Sequence, residues 1–352
     1  MNADLPSKRR VLITGVSRFL GLRLAKRLER DPLIEHLVGV DLDEPPIPID
    51  GLEFVRADIR NPLIARVLEA TKVDTIVHTN ITSSRRRFGG RSQMKENNVI
   101  GTMQLMAAAQ RAQRVKNVVV KSSTAVYGSA PADPSILSED HAHRRVELAG
   151  YGKDCADAET YARDFGRRRT DVHLSVLRFQ NVIGPTVSTS LTEYLSFPVI
   201  PTALGFDPRL QVVHETDAVE ALYQALALGA KGIVNIAADG VVYLSQAIRL
   251  LGRVQLPLVL SLARATAGMM QRAGIVDFPP DQLRLIQFGR VVDTSRAKRI
   301  LEFSPRFTTR SCIEDFRANR TRDLLPEPTS HPTWERELFE YLKRKSEERE
   351  LV

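Results

Sequence analysis

Residues 11–21, V-L-I-T-G-V-S-R-F-L-G, constrain this chain more than any other stretch. Val11, Leu12 and Ile13 form a short apolar run of the kind that makes a buried strand. Thr14 and Gly15 break the run. Phe19 and Leu20 then lead into a helical pattern with Leu22, Leu24, Ala25 and Leu28 on one side. A strand that turns through glycine straight into a helix aims backbone N–H groups and a helix N-terminus at one point, which suits a pyrophosphate. Gly15 and Gly21 are spaced for such a turn. Arg18 stands between them, where a glycine would allow the closest approach of backbone to phosphate.

Strand and helix patterns alternate from there. Residues 37–40 read as a second strand ending at Asp41, and 52–55 as a third, followed by Asp58. Residues 61–70 read as a helix, 75–77 as a strand ending at His78, and 97–112 as a long helix. A strand at 118–120 runs into Ser122 and Ser123; a helix at 151–166 and a strand at 172–177 follow. This order predicts an α/β fold, a doubly wound parallel sheet whose strand ends line one ligand-binding edge. After Gly184-Pro185 the pattern loosens, with Pro198, Pro201 and Pro208 as punctuation. Strands at 212–213 and 233–236 flank a helix at 217–228, and residues 256–270 read as an apolar helix over the ligand cleft. In 331–352, Trp334, Leu338, Tyr341 and Leu342 fall at helical spacing, which predicts a charged amphipathic helix docked on the body or on a partner. The expected division is 1–181 for nucleotide binding (with a returning segment near 210–237), 182–330 mostly for substrate, and 331–352 as a tail.

The net charge of +8 comes mostly from arginine, in the runs Arg85-Arg86-Arg87, Arg144-Arg145 and Arg167-Arg168-Arg169. Without a nucleic-acid reading element these read as solvated surface, so no nucleic-acid partner is expected. No apolar run reaches membrane-span length and no signal-peptide core follows the N-terminus, so no membrane span is expected. Cys155 and Cys312 supply neither a disulfide framework nor a metal cluster; no metal is expected, and a reducing cytoplasm fits.

Taken in order, the pieces resemble the NAD-dependent epimerase/dehydratase family of extended short-chain dehydrogenases/reductases, which includes UDP-glucose 4-epimerase. The resemblance spans roughly residues 9–317. It rests on I-T-G-V-S-R-F-L-G, V-G-V-D at Asp41, A-D-I-R-N at Asp58, N-V-I-G-T from Asn98 and S-S-T-A-V-Y-G from Ser122. L-R-F-Q-N-V-I-G-P from Leu177, V-H-E-T-D-A-V from Val213 and D-T-S-R-A-K-R-I-L from Asp293 complete it. It implies a Rossmann domain with a smaller C-terminal substrate domain, and a homodimer joined by the helices at 97–112 and 151–166. It also implies NAD and a nucleotide-sugar or related alcohol or carbonyl substrate. Asp41 would bind the adenosine ribose hydroxyls and repel the 2′-phosphate of NADP, so NAD is preferred. The cofactor set implied is Gly15, Ser17, Arg18, Phe19, Leu20, Gly21, Asp41, Leu42, Asp58, Ile59, His78, Thr79, Asn80, Asn98, Ser122, Tyr151, Phe179 and Asn181. Arg18 could clasp the pyrophosphate with its guanidinium in place of close backbone contact.

In that family a Ser or Thr, a Tyr and a Lys work together, with Tyr and Lys spaced Y-x-x-x-K on one helix face. Here Ser123 and Tyr151 match, but Cys155 holds the lysine position. Lys153 is two residues from Tyr151, about 200° around a helix. Cys155 continues an apolar stripe with Ala158, Ala162 and Phe165 and reads as a small buried hydrophobe. An unperturbed tyrosine has a pKa of about 10, so without a neighbouring cation little tyrosinate forms at neutral pH. On the substrate side Ser123 and Asn181 match, whereas the arginine expected four residues before His214 is Leu210, with Arg209 one place out of register. Two functions follow: an epimerase/dehydratase-like oxidoreductase using transient hydride transfer, or a catalytically weakened NAD-binding sensor or scaffold.

Overall fold

The apolar runs become strands β1 (Arg9–Thr14), β2 (Ile34–Asp41), β3 (Leu52–Arg56), β4 (Thr75–His78), β5 (Asn117–Ser123) and β6 (His173–Phe179). Shorter strands follow: β7 (Asn181–Ile183), β8 (Val199–Ala203), β9 (Arg209–Leu210), β10 (Val212–His214), β11 (Gly232–Ile236), β12 (Val242–Tyr243) and β13 (Val254–Leu258). The computed structural model describes residues 8–83, 90–141, 150–259, 280–320 and 334–350. The arginine runs at 85–87 and 144–145 lie outside them.

Seven strands form one sheet in the order β3-β2-β1-β4-β5-β6-β11, every pair parallel. The chain winds outward from β1 through β2 and β3, then returns to β4 on the other side. The crevice of such a sheet opens where this reversal occurs, at the C-terminal ends of β1 and β4.

Period-two alternation builds two apolar layers. Val118 and Val120 of β5 face one layer with α2 (Ile64–Thr71), α3 (Arg91–Arg111) and α4 (Tyr151–Arg168). Val119 faces the other, with α1 (Phe19–Leu28), α6 (Glu215–Leu228) and the helix Ser295–Leu301. A third apolar cluster is built from α5 (Ser190–Leu195), α7 (Leu244–Leu250), the short strands and the helix Thr309–Asn319; Tyr194, Leu210, Ile248 and Phe316 are among its buried members.

The sequence reading fails at residues 256–258. They end β13, which pairs in parallel with β8 from Val254 opposite Val199 to Leu258 opposite Ala203. Pro257 is tolerated because this two-stranded pairing leaves an edge where a missing N–H does no harm. Residues 260–279, the rest of that expected helix, lie outside the described residues. Helix α3 starts at Arg91 rather than at residue 97, and the Arg91 guanidinium holds the buried Asp154 carboxylate at 2.7 Å through both nitrogens.

The C-terminal helix Trp334–Glu350 lies against β3 and α2, burying Leu338 and Tyr341. Its polar contacts converge on two residues of β3: Glu337 pairs with Arg56 at 2.6 Å, and Tyr341 and Lys345 reach Glu53 at 2.6 and 3.2 Å. No helix among the described residues is long and apolar enough to cross a membrane.

Candidate functional site

The first turn keeps the two glycines that its own geometry needs. Gly15 has φ +77°, and a Cβ there would lie 3.0 Å from the Asn80 main chain. A Cβ on Gly21 would lie 2.2 Å from the Gly15 carbonyl oxygen. Arg18 is in ordinary extended backbone (φ −97°, ψ 158°), so a side chain is accommodated without strain. Arg18, Phe19 and Leu20 are partly exposed at the start of α1, whose first turn has no acidic residue. That leaves a cationic helix start facing the crevice. Across it, Asp41 Oδ2 accepts from the Ser17 N–H at 3.1 Å and the Ser17 hydroxyl at 2.5 Å, and Oδ1 accepts from the Leu42 N–H at 2.9 Å. A positive helix start beside a carboxylate on the neighbouring strand end is a donor set that fits the pyrophosphate and ribose of a dinucleotide.

Behind this rim lies a polar floor. His78 has no exposed surface; Thr14 Oγ1 lies 2.6 Å from its Nδ1 and Thr102 Oγ1 2.9 Å from its Nε2. Thr102 donates its own proton to the Asn98 carbonyl at 2.6 Å, so it accepts from Nε2–H and Thr14 donates to Nδ1. Burial, with the positive charges of Lys121 and Arg18, lowers the His78 pKa to about 3 and keeps it neutral. Asn97 donates to the Asn80 carbonyl (2.9 Å), Asn98 to the Thr82 carbonyl (2.8 Å) and Thr79 to the Thr14 carbonyl (2.7 Å). Together they fix the loop after β4.

Other members of the expected cofactor set are also committed to the protein. Ser122 donates to Glu159 at 2.6 Å, Asp58 clasps Arg60, Ile59 fills the space a Cβ on Gly101 would take, and Phe179 is a core residue. His78, Asn98 and Ser122 are wholly buried, so they shape the site through the residues in front of them.

The reacting end sits where β5 meets α4. Tyr151 opens α4, and Gly152 lets the helix close on the turn after β5, since a Cβ there would be 2.5 Å from the Ala125 carbonyl oxygen. This brings the Tyr151 phenol beside the Ser123 and Cys155 side chains, whose proximity acts on its ionisation. It also brings in a residue the sequence reading missed. Lys121 Nζ donates to the Tyr151 phenol oxygen at 3.1 Å and to the Ile81 carbonyl at 2.6 Å. The available signal was V-V-V-K-S-S, a lysine closing the apolar run of a buried strand. Burial pushes Tyr151 well above the ordinary tyrosine value, and the Cys155 thiol adds to this. Burial also pushes Cys155 up to about 12 and Lys121 down to about 8. At neutral pH the thiol is therefore uncharged and the amine mostly ammonium.

On the substrate side, Asn181 is partly exposed at the start of β7. Arg209 donates to the Ser135 carbonyl at 2.8 Å, and Leu210 is a core residue. His214 stacks on Phe307 with ring centroids 3.7 Å apart and meets Asp315 at 3.0 Å. A second missed residue is Arg290. It is buried, its Nε donates to Thr124 Oγ1 and its Nη1 to the Gly128 carbonyl, both at 3.1 Å. It thereby ties the segment between the helices Pro280–Phe288 and Ser295–Leu301 to the turn that follows Ser123. Among the described residues no group of three His, Cys, Asp or Glu side chains could hold a metal ion.

Known proteins resemble this chain to different depths. An uncharacterized protein of Mycobacterium tuberculosis is 42% identical over 329 residues, covering 92% of this chain and 88% of its own length. A probable UDP-arabinose 4-epimerase of Oryza sativa is 25% identical over 232 residues, 59% of this chain and 55% of that protein. Among solved structures, UDP-glucose-4-epimerase from Stenotrophomonas maltophila, with bound NAD and formylated UDP-arabinopyranose, superposes with a TM-score of 0.67 at 19% identity, covering 89% and 98% of the two chains. UDP-glucuronic acid 4-epimerase from Bacillus cereus, in complex with NAD, gives 0.64 at 18% identity over 87% and 96%. At such identities the structures establish the fold. Residues 11–237 match the profile of the NAD dependent epimerase/dehydratase family. With the seven-stranded parallel sheet (but for the first two residues of β1), its glycine turn and the tyrosine at the start of α4 falling inside that match, this chain belongs to the NAD dependent epimerase/dehydratase family.

Proposed function

We propose that this protein is an NAD-dependent oxidoreductase of epimerase or dehydratase type that acts on a nucleotide sugar or a related alcohol or carbonyl compound. The observation that carries the reading is the Tyr151 phenol, buried, beside Ser123 and placed at the sheet edge that also carries the first turn. Bound NAD supplies a hydride acceptor that later returns the hydride. The residues of this chain do the rest. Tyr151 takes the hydroxyl proton of the substrate as the adjoining C–H bond gives up its hydride and a carbonyl forms, and it returns the proton when the hydride comes back. Ser123 holds the oxygen that changes between hydroxyl and carbonyl. Arg18 and the start of α1 take the pyrophosphate, and Asp41 takes the ribose hydroxyls while repelling a 2′-phosphate, so NAD is favoured over NADP. Residues 182–330, apart from the segment near 210–237 that returns to the nucleotide-binding part, are mostly the substrate side, with Asn181 at its border.

The test is calorimetric titration with NAD and NADP, then hydride exchange with a panel of UDP- and dTDP-sugars. NAD is expected to bind more tightly than NADP, and at least one sugar to turn over in the wild type and not in Tyr151→Phe. A chain that binds neither dinucleotide overturns the reading. So does NAD binding with no exchange on any member of a panel that includes hexoses, uronic acids and pentoses.

A further inference from the structure

Tyr151 has to release and recover a proton, yet its surroundings oppose ionisation. Burial raises its pKa, and the helix position one turn on is a thiol that carries no charge at neutral pH. A cation must come from elsewhere. On α4, Lys153 is displaced about 200° around the helix. Arg91 is committed to Asp154 and Arg178 to Glu159, at 2.7 and 2.6 Å. Lys121 alone has its charge on the phenol, among the contacts of the described residues.

We propose that Lys121, on strand β5, supplies the ammonium that position 155 lacks: it donates to the Tyr151 oxygen and favours the phenolate. This rests on the oxidoreductase reading above and deepens it by naming the group that makes Tyr151 competent. The direction of approach differs from a Y-x-x-x-K pair. A lysine one helical turn along reaches the tyrosine along α4, whereas Lys121 reaches it from the sheet, thirty positions earlier in the chain. Its other bond is to the Ile81 carbonyl, in the loop pinned by Asn97 and Asn98, so the main chain fixes the ammonium in place. The apolar residue at 155 follows from this. A second ammonium there would face Lys121 across one phenol, and the repulsion would drive a proton off one of them.

The charged and titratable groups around the pair come from every neighbouring element. Cys155, Asp154 and Glu159 belong to α4, His78 to β4 and Arg18 to the first turn. Asp154 and Glu159 are neutralised by Arg91 and Arg178, and His78 and Cys155 are uncharged at neutral pH. The cation in hydrogen-bond contact with the phenol is therefore Lys121, and Arg18 acts on Lys121 and His78.

Ultraviolet titration of tyrosinate in the full-length protein tests this without a substrate. The signal of Tyr151 is the wild-type curve minus that of Tyr151→Phe. Lys121, pushed down to about 8, loses its charge before Tyr151 ionises, so a permanent cation is the probe. An opposite charge at this range moves a pKa by about 1–3 units, so Lys121→Arg is expected to move that signal down by at least one pH unit, and Lys121→Gln to leave it near the wild-type position. A Tyr151 signal unmoved by Lys121→Arg overturns the proposal. If that variant misfolds, the pH profile of hydride exchange carries the test: the wild-type rate is expected to fall as pH rises through the Lys121 value near 8, and a profile of the same shape in Lys121→Gln counts against the proposal. Titrating each variant with NAD keeps the two readings apart. A wild type that binds no NAD sinks the oxidoreductase reading, whereas NAD binding with a Tyr151 ionisation indifferent to Lys121→Arg sinks only this one.

Discussion

The first turn and the start of α4 both depart from their family patterns, and the structure absorbs the departures in different ways. At the first turn, Arg18 takes a glycine's place in backbone that any residue adopts, and the nearby contacts that truly require glycine, at Gly15 and Gly21, are kept. The change to the backbone is local, and what it adds is a guanidinium. At α4 the residue lost is a charge, and nothing on the same helix face restores it. The cation that meets Tyr151 comes from a different element, β5. A missing backbone freedom has to be made good at its own position. A missing charge can be supplied from any element that ends within hydrogen-bond reach, because Coulomb attraction depends on distance and surroundings rather than on sequence.

The comparison breaks most readily behind α4. Arg178 of β6 and Glu159 of α4 form an ion pair at 2.6 Å with almost no exposure of either side chain, and Ser122 and Tyr127 complete its hydrogen bonds. Arg178→Met leaves a buried carboxylate without its partner, which is expected to cost about 3–5 kcal/mol, measured by denaturant unfolding. Because Glu159 lies one turn beyond Cys155, the same variant is expected to abolish hydride exchange. A loss under 1 kcal/mol would show that α4 is held by its apolar face alone.

At the first turn the corresponding blow is Gly21→Ala. The new Cβ would meet the Gly15 carbonyl oxygen at 2.2 Å and Thr79 Oγ1 at 2.7 Å, so the backbone must shift. Overpacking against main chain is expected to cost about 3 kcal/mol and to eliminate NAD binding in a titration. If Gly21→Ala binds NAD as the wild type does, the distinction between required and dispensable glycines in this turn is wrong.

The rim beside Asp41 is braced from outside the sheet. Arg56 donates to the Leu42 carbonyl at 2.6 Å and pairs with Glu337 of the C-terminal helix, while Glu53 of β3 holds the same helix. Burial alone would raise the Glu53 pKa, but hydrogen bonds from His36, Tyr341 and Lys345 outweigh it and hold the group at about 2, against 4.5 for a free glutamate. A depressed carboxylate stabilises the fold above the unfolded pKa and loses that contribution as pH falls through the folded one. The helix is therefore expected to loosen between about pH 4.5 and 2. Trp334, the single tryptophan, begins that helix and reports the change by fluorescence. Glu53→Gln is expected to flatten the acid transition; an unchanged transition would move its origin to other carboxylates.

What could be read from the chain itself follows the same division. The parallel sheet was legible because its strands are buried on both faces, so runs such as V-L-I and V-V-V stand out against the amphipathic helices between them. Gly15, Gly21, Asp41, Ser123 and Tyr151 were legible because each sits at a fixed offset from a strand or helix end. Residues 256–258 misled because a short apolar run with a proline suits a helix start as well as an edge strand, and only the pairing with β8 decides. Lys121 was invisible to a search by spacing. Y-x-x-x-K logic looks along one helix, whereas this contact crosses from a strand end to a helix start. Arg290 escaped for the same reason, since its partners, Thr124 and Gly128, lie more than 160 positions away.

The two regions are also coupled, and the smallest expected effect tests this. Arg18 helps to lower the pKa of Lys121, after burial, and acts in the same direction on His78. The guanidinium at the pyrophosphate end is thus felt at the proton-transfer end. Arg18→Gly would restore the family's glycine. If the first turn and α4 were independent, the only consequence would be at the cofactor, where losing a charge-assisted hydrogen bond weakens NAD binding by about tenfold. Folding stability should change by under about 1 kcal/mol, since φ at this position needs no glycine and gains little from one. The coupling adds a second outcome. Removing a positive charge makes protons harder to lose from both members of the Lys121–Tyr151 pair, so the Tyr151 tyrosinate signal should rise by roughly a few tenths of a pH unit. The Lys121→Gln background removes the nearer group and leaves Arg18 as the cation of the first turn. There too, Arg18→Gly should raise the signal. A Tyr151 titration unchanged by Arg18→Gly in both backgrounds would mean that the added guanidinium serves the cofactor end alone, and that the two departures arose without reference to each other.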